Sequence, residues 1–104
     1  MGTVIAGPLV LPEKPLVRPR VEEEEERLRR PWIVILYNDD WHPYDQVVFQ
    51  VQKATGCSLE EAEWITWEAH TQGRAIAYTG TAEECERVAG VLREIRLQVE
   101  TDAA

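Results

Sequence analysis

The chain has 104 residues, 44% of them hydrophobic, enough for one ordinary core and too short for several domains. Net charge is −8, and all of it falls late: residues 1–31 carry six basic and six acidic groups, residues 32–104 carry five and thirteen. An acidic domain is repelled by phosphate backbones, which sets DNA and RNA aside, and no apolar run approaches the roughly 18 residues of a membrane span.

Residues 1–31 read as a flexible extension. Four of the six prolines, Pro8, Pro12, Pro15 and Pro19, stand in its first 19 residues, and each interrupts a short apolar pair. Glu22 to Glu26 follow as five like charges. Glu-to-Arg pairs at i,i+4 allow a helix over residues 22–30, fraying at most, before Pro31 marks the boundary of a folded domain at 32–104. The N-terminus lacks the basic start and apolar centre of a secretory signal, so a soluble cytoplasmic protein is the default expectation.

The folded part opens with W-I-V-I-L-Y-N-D-D-W-H-P-Y-D, Trp32 to Asp45. Ile33 to Leu36 run without a polar break, as in a buried strand. Asn38, Asp39 and Asp40 stop it, because their side chains bond nearby backbone N–H groups and favour turns. Pro43 then suits the first position of a helix. A rigid strand that feeds a polar loop is a common way to hold binding groups. The plain alternative is that N-D-D is a turn and nothing more.

The first helix is predicted from Pro43 to Lys53 or Ala54, with Tyr44, Val47, Val48 and Val51 on one face and Gly56 as terminator. A second begins at Ser58-Leu59-Glu60-Glu61, a capping box, and buries Ala62, Ile65, Thr66 and Ala69. Trp64 and Trp67 flank that stripe, His70 lies in the last turn, and Gly73 ends it. A histidine there is also favoured by the helix dipole alone. Gly73 to Tyr78 reads as a short strand. Thr81-Ala82-Glu83-Glu84 is a second capping box, opening a helix with Cys85, Val88, Ala89, Leu92 and Ile95 inward. Arg96 to Glu100 alternates like a half-buried strand. Cys57 and Cys85 have no metal spacing, and Cys85 sits among apolar positions as an inert thiol. The order β-α-α-β-α-β implies an α/β two-layer sandwich, a three-stranded antiparallel sheet packed against three helices.

If the first two helices pack side by side, the Asn38-Asp39-Asp40 loop and His70 can meet. Together they offer acceptors with no basic residue beside them, which suits a cation: a metal or a protonated amine. Beside them lie apolar groups from Tyr44, Val47, Val48 and Ala69. A cation site next to an apolar pocket fits a polypeptide with a free N-terminus and a bulky first side chain. A divalent metal held by Asp39, Asp40, His42 and His70 in a metal-dependent enzyme is one alternative. A passive docking module like the C-terminal domain of the ribosomal stalk protein, with no pocket, is another.

I-L-Y-N-D-D-W-H-P-Y, then E-A-H-T-Q-G-R-A-I, then T-A-E-E-C-E-R-V-A, at residues 35–44, 68–76 and 81–89, resemble the ClpS family over residues 32–104. These are non-catalytic adaptors that hand N-degron substrates, with bulky hydrophobic N-terminal residues, to the AAA+ unfoldase of a Clp protease. The resemblance implies the same fold with a flexible N-terminal extension, and no cofactor or metal. It implies that Asn38, Asp40 and His70 hold the substrate's α-ammonium group, with Asp39 shaping the loop or contributing directly. Tyr44, Val47, Val48, Thr66, Ala69 and Leu97 would line the side-chain pocket. Trp41, Glu83 and Arg87 would dock the N-terminal domain of a ClpA- or ClpC-like unfoldase, which would engage the tail. Two positions depart from the family pattern. Thr66 stands where Met is common, which implies a looser gate for β-branched residues. His42 stands where Thr often caps the helix, and it either approaches the ligand or faces solvent.

Overall fold

The computed structural model describes residues 20–104; the four prolines of the predicted arm and the rest of residues 1–19 lie outside the described residues. The elements are α1 (Arg20–Arg29), β1 (Trp32–Tyr37), α2 (Tyr44–Thr55), α3 (Leu59–Gln72), β2 (Arg74–Gly80), α4 (Ala82–Arg93) and β3 (Val99–Ala103). The strands form one antiparallel sheet in the order β2-β1-β3, with β1 at its centre. That is the sandwich the sequence implies, with one helix added at its N-terminal end.

The helix permitted over residues 22–30 does form, as α1. It buries no residue of its own. It is tied to the domain at its end, where the Trp32 indole donates to the Arg27 carbonyl at 3.1 Å and the Arg27 guanidinium lies over the same ring. The Glu24 carboxylate 3.1 Å from Arg27 holds that guanidinium above its ordinary pKa.

One face of the sheet carries the core. Val34 and Leu36 of β1 are almost wholly buried, with Ala75 and Ala77 of β2 and Val99 of β3 beside them. A bulge between Val34 and Ile35 skips Ala77 in the pairing. Against this face lie Val51 of α2, Ala62 and Ala69 of α3, and Cys85, Val88, Ala89 and Leu92 of α4. The many alanines let the helices approach the sheet closely, since each projects only a methyl group.

Two boundaries move. Pro43 caps α2 instead of opening it. The last strand begins at Val99, not Arg96. Arg96 has φ 66°, in the left-handed region, so the chain turns there. Leu97 then enters the core from a turn, and pairing starts only where Tyr37 donates to the Gln98 carbonyl and Leu36 faces Val99. Both helix caps stand where the sequence puts them, but only the second is a full capping box. Ser58 accepts from the Glu61 N–H at 3.0 Å, and Thr81 and Glu84 exchange both bonds of a capping box.

Candidate functional site

The end of β1 and the end of α3 are joined by the backbone. Gly73 closes α3 with φ 92°, a conformation glycine adopts without strain, and donates to the Ala69 carbonyl. Its own carbonyl accepts from the Asn38 N–H at 2.9 Å, and β2 starts at the next residue, with Arg74 paired to Tyr37. His70 is thus fixed one helical turn from the residue that bonds Asn38. The two sequence segments meet because a helix terminator and a strand terminator share a hydrogen bond.

They meet around a cavity of about 270 Å³. Asn38, Asp39, Asp40 and His70 line its polar side, and Leu36, Val47, Thr66, Ala69 and Leu97 its apolar side, with Tyr37, His42 and Tyr44 between. Among the described residues that line it there is no Lys or Arg. The arrangement offers acceptors beside an apolar hollow and suits a cation that carries an apolar group. Tyr44 reaches across from α2 to donate to the Glu63 carbonyl of α3 at 3.0 Å, which closes the rim. The Thr66 hydroxyl donates to the Ala62 carbonyl at 2.8 Å, which leaves its methyl to meet an apolar ligand.

The loop is ordered from within. Asp39 accepts from the backbone N–H groups of Trp41 at 2.6 Å and His42 at 2.9 Å, and its other oxygen lies 2.7 Å from His42 Nδ1. Partial burial alone would raise its carboxyl pKa; the two N–H groups and the imidazole outweigh that and hold it below the ordinary carboxylate range. Asp39 therefore shapes the loop while it also lines the cavity. Asn38 Nδ2 lies 3.4 Å from Asp40 Oδ1, which turns the amide oxygen away from Asp40 and leaves it free to accept.

The lowered pKa of Asp39 sets an acid limit. Its native state binds protons less readily than the unfolded chain, so its contribution is complete above pH 4 or so, near the unfolded carboxyl pKa, and fades as pH falls through the lower native value. Urea unfolding from pH 6 to pH 2.5 is expected to show wild type losing its advantage over Asp39→Asn in that acid window. Parallel curves would remove the argument.

Several sequence-predicted residues are placed differently. Val48, one step round α2 from Val47, packs into the core and does not line the cavity. Leu36, Tyr37 and His42 line it in addition to the pocket residues expected from sequence; inward alternation along β1 is the signal that points to Leu36. Trp41 is 91% exposed on the loop, while Glu83 and Arg87 are exposed on α4. Trp64 and Trp67 are also exposed, and the Trp67 ring lies 6.0 Å from that of His70. His42 lines the cavity and does not stand in open solvent: its side chain is 17% exposed, and both ring nitrogens have partners. Among the described residues no group of three His, Cys, Asp or Glu side chains could hold a metal, and Asp39 and His42 are already bonded to each other. Among the described residues no helix is long and apolar enough to cross a membrane.

A sequence model described as ATP-dependent Clp protease adaptor protein ClpS matches residues 27–100. The chain belongs to the ClpS family. Among curated relatives, the ClpS adapter of Leptospira biflexa is 37% identical over 57 residues, 53% of this chain and 50% of that protein. Human E3 ubiquitin-protein ligase UBR1 is 31% identical over 67 residues, 64% of this chain and 4% of the ligase. The chain thus aligns with about half the length of that ClpS relative and a small fraction of the ligase. The structure of Agrobacterium tumefaciens ClpS2 bound to L-phenylalaninamide superposes with a TM-score of 0.68 at 20% identity, covering 72% of this chain and 98% of that one. At that identity the match shows the ClpS fold and nothing finer.

Proposed function

We propose that this ClpS-family chain is an adaptor that binds polypeptides by a free α-ammonium group and a bulky hydrophobic first side chain, and delivers them to an AAA+ Clp unfoldase in the cytoplasm. One observation carries the reading: a single cavity sets Asn38, Asp40 and His70 against Tyr44, Val47, Thr66, Ala69 and Leu97. The Asn38 amide oxygen, the Asp40 carboxylate and a neutral His70 nitrogen accept from the ammonium group. Charge-assisted bonds fix its geometry and reject a blocked amine, which has lost its charge and donors. The hollow takes the side chain, and burying a Leu or Phe adds roughly 1.5–3 kcal/mol.

The relatives support this division. The Agrobacterium protein was solved with an amino-acid amide, a ligand with one free amine and one apolar side chain. A segment common to a protease adaptor and a ubiquitin ligase fits a part that selects substrates, since the machinery that follows differs. Trp41, Glu83 and Arg87 are exposed and offer a surface to the N-terminal domain of a ClpA- or ClpC-like unfoldase, which would engage the N-terminal segment of the chain.

Fluorescence anisotropy with Leu- and Phe-initiated peptides, free and acetylated, tests the reading. Free peptides bind and acetylated ones do not; equal binding of both forms would refute it. Thr66 refines the specificity. Its short side chain leaves room near the first Cβ, so Ile and Val are tolerated, and Thr66→Met is expected to widen the gap between Leu- and Ile-initiated peptides. An unchanged gap removes Thr66 from the gate.

A further inference from the structure

His42 joins two segments that the sequence keeps 53 residues apart. Its Nδ1 lies 2.7 Å from Asp39 Oδ2 and its Nε2 2.5 Å from the Ile95 carbonyl oxygen. Both partners are acceptors, so a neutral ring donates its one N–H to one of them, and only the imidazolium donates to both. At one end the ring holds Asp39, the residue whose carboxylate folds the loop carrying Asn38 and Asp40. At the other end it holds the turn after α4. Ile95 is followed by Arg96, whose φ of 66° places a non-glycine residue in the left-handed region. Such a conformation persists only where neighbouring contacts impose it. The next residue is Leu97, 3% exposed and part of the cavity wall.

We propose that His42 is a positioning residue: it braces the amine-holding loop against the 95–97 segment, and so sets which first side chains fit beside a bound α-ammonium group. The inference rests on the peptide-binding reading above and adds to it a determinant of side-chain selection. Position 42 reads in sequence as a poor helix cap. The structure gives it different work, through its two ring nitrogens rather than through the start of α2, which has no side-chain cap.

The two contacts can be separated by substitution. The Asn amide occupies roughly the place of imidazole Nδ1, and the Gln amide that of Nε2. His42→Asn keeps a donor for Asp39 and drops the tie to Ile95; His42→Gln does the reverse. Two affinity ratios read the two halves of the site. Free over acetylated Leu peptide reports the amine grip, and Leu- over Ala-initiated peptide reports the pocket. For His42→Asn the first ratio is expected to hold within about twofold, while the second falls roughly two- to ten-fold, the scale of one lost hydrogen bond. For His42→Gln the first ratio is the one that falls. A merely structural histidine would lower both ratios together in both variants, or neither, and either pattern overturns the proposal. Should His42→Asn lower the unfolding temperature, the comparison is repeated in an Arg96→Gly background, where glycine takes the left-handed backbone without strain. Wild-type protein that fails to distinguish free from acetylated peptide overturns the peptide reading itself; wild type that does distinguish them, with unchanged ratios in both variants, overturns only the brace.

Discussion

Asn38→Ala is expected to lower the affinity of a free Leu-initiated peptide about 10- to 150-fold, the range for a hydrogen bond to a charged group worth roughly 1.5–3 kcal/mol. The same peptide with an acetylated N-terminus should bind variant and wild type with equal weakness. The amide at 38 lies part-way out of solvent beside a hollow, where water cannot fully replace a lost acceptor. Its backbone N–H is already committed to Gly73, so removing the side chain leaves the strand end in place. Fold stability should therefore change little. The informative quantity is the coupling: the variant and the acetyl group remove the same interaction, so their effects must not add. Additive losses would show that Asn38 acts on something other than the amine. Asp40→Asn belongs to the same cycle with a smaller effect, since Asp40 is exposed and its charge is screened by solvent.

Much of this site is legible in the sequence alone. The apolar run 33–36, its arrest at Asn38, the cap residues Ser58 and Thr81, and the terminator Gly73 are local signals, and each appears where the pattern puts it. The meeting of Asn38 with His70 is not local. It depends on the Asn38–Gly73 backbone bond, which no spacing encodes; the sequence reaches it only on the condition that the first two helices pack side by side, or through the resemblance to ClpS. The same blindness explains the misses. His42 looks idle because its partner Ile95 is remote in sequence. The closing strand reads three residues early because Leu97 is buried like a strand residue but only follows a turn, and a left-handed Arg96 leaves no mark on hydrophobic periodicity. Val47 and Val48 are both apolar and both buried; only the rotation of α2 decides which one faces the hollow. Function concentrates at these places because a site needs residues brought together from several elements, and local pattern describes one element at a time.

Ala69→Leu is the complementary test, aimed at the hollow and not the amine. Ala69 is 3% exposed, stands one residue before His70, and lines the cavity. A leucine there has one easy place to go, into the space a ligand side chain would take. Leu- and Phe-initiated peptides then lose most of their side-chain burial, roughly 1.5–3 kcal/mol, or about 10- to 150-fold in affinity. Peptides that begin with Gly or Ala have little burial to lose and should change far less. If the new side chain enters the hollow, it gains the apolar contacts of Val47 and Leu97, and the unfolding temperature holds or rises. If it is forced into the core instead, overpacking costs about 1–3 kcal/mol, within the roughly 5–15 kcal/mol that keeps a domain of this size folded. Thermal unfolding separates these cases, and the peptide series then decides the point. Leu-initiated peptide that binds the variant as it binds wild type would mean that first side chains go elsewhere, whatever holds the amine. A selective loss for bulky first residues, set beside an Asn38→Ala loss shared by all of them, would show two independent grips on one polypeptide end.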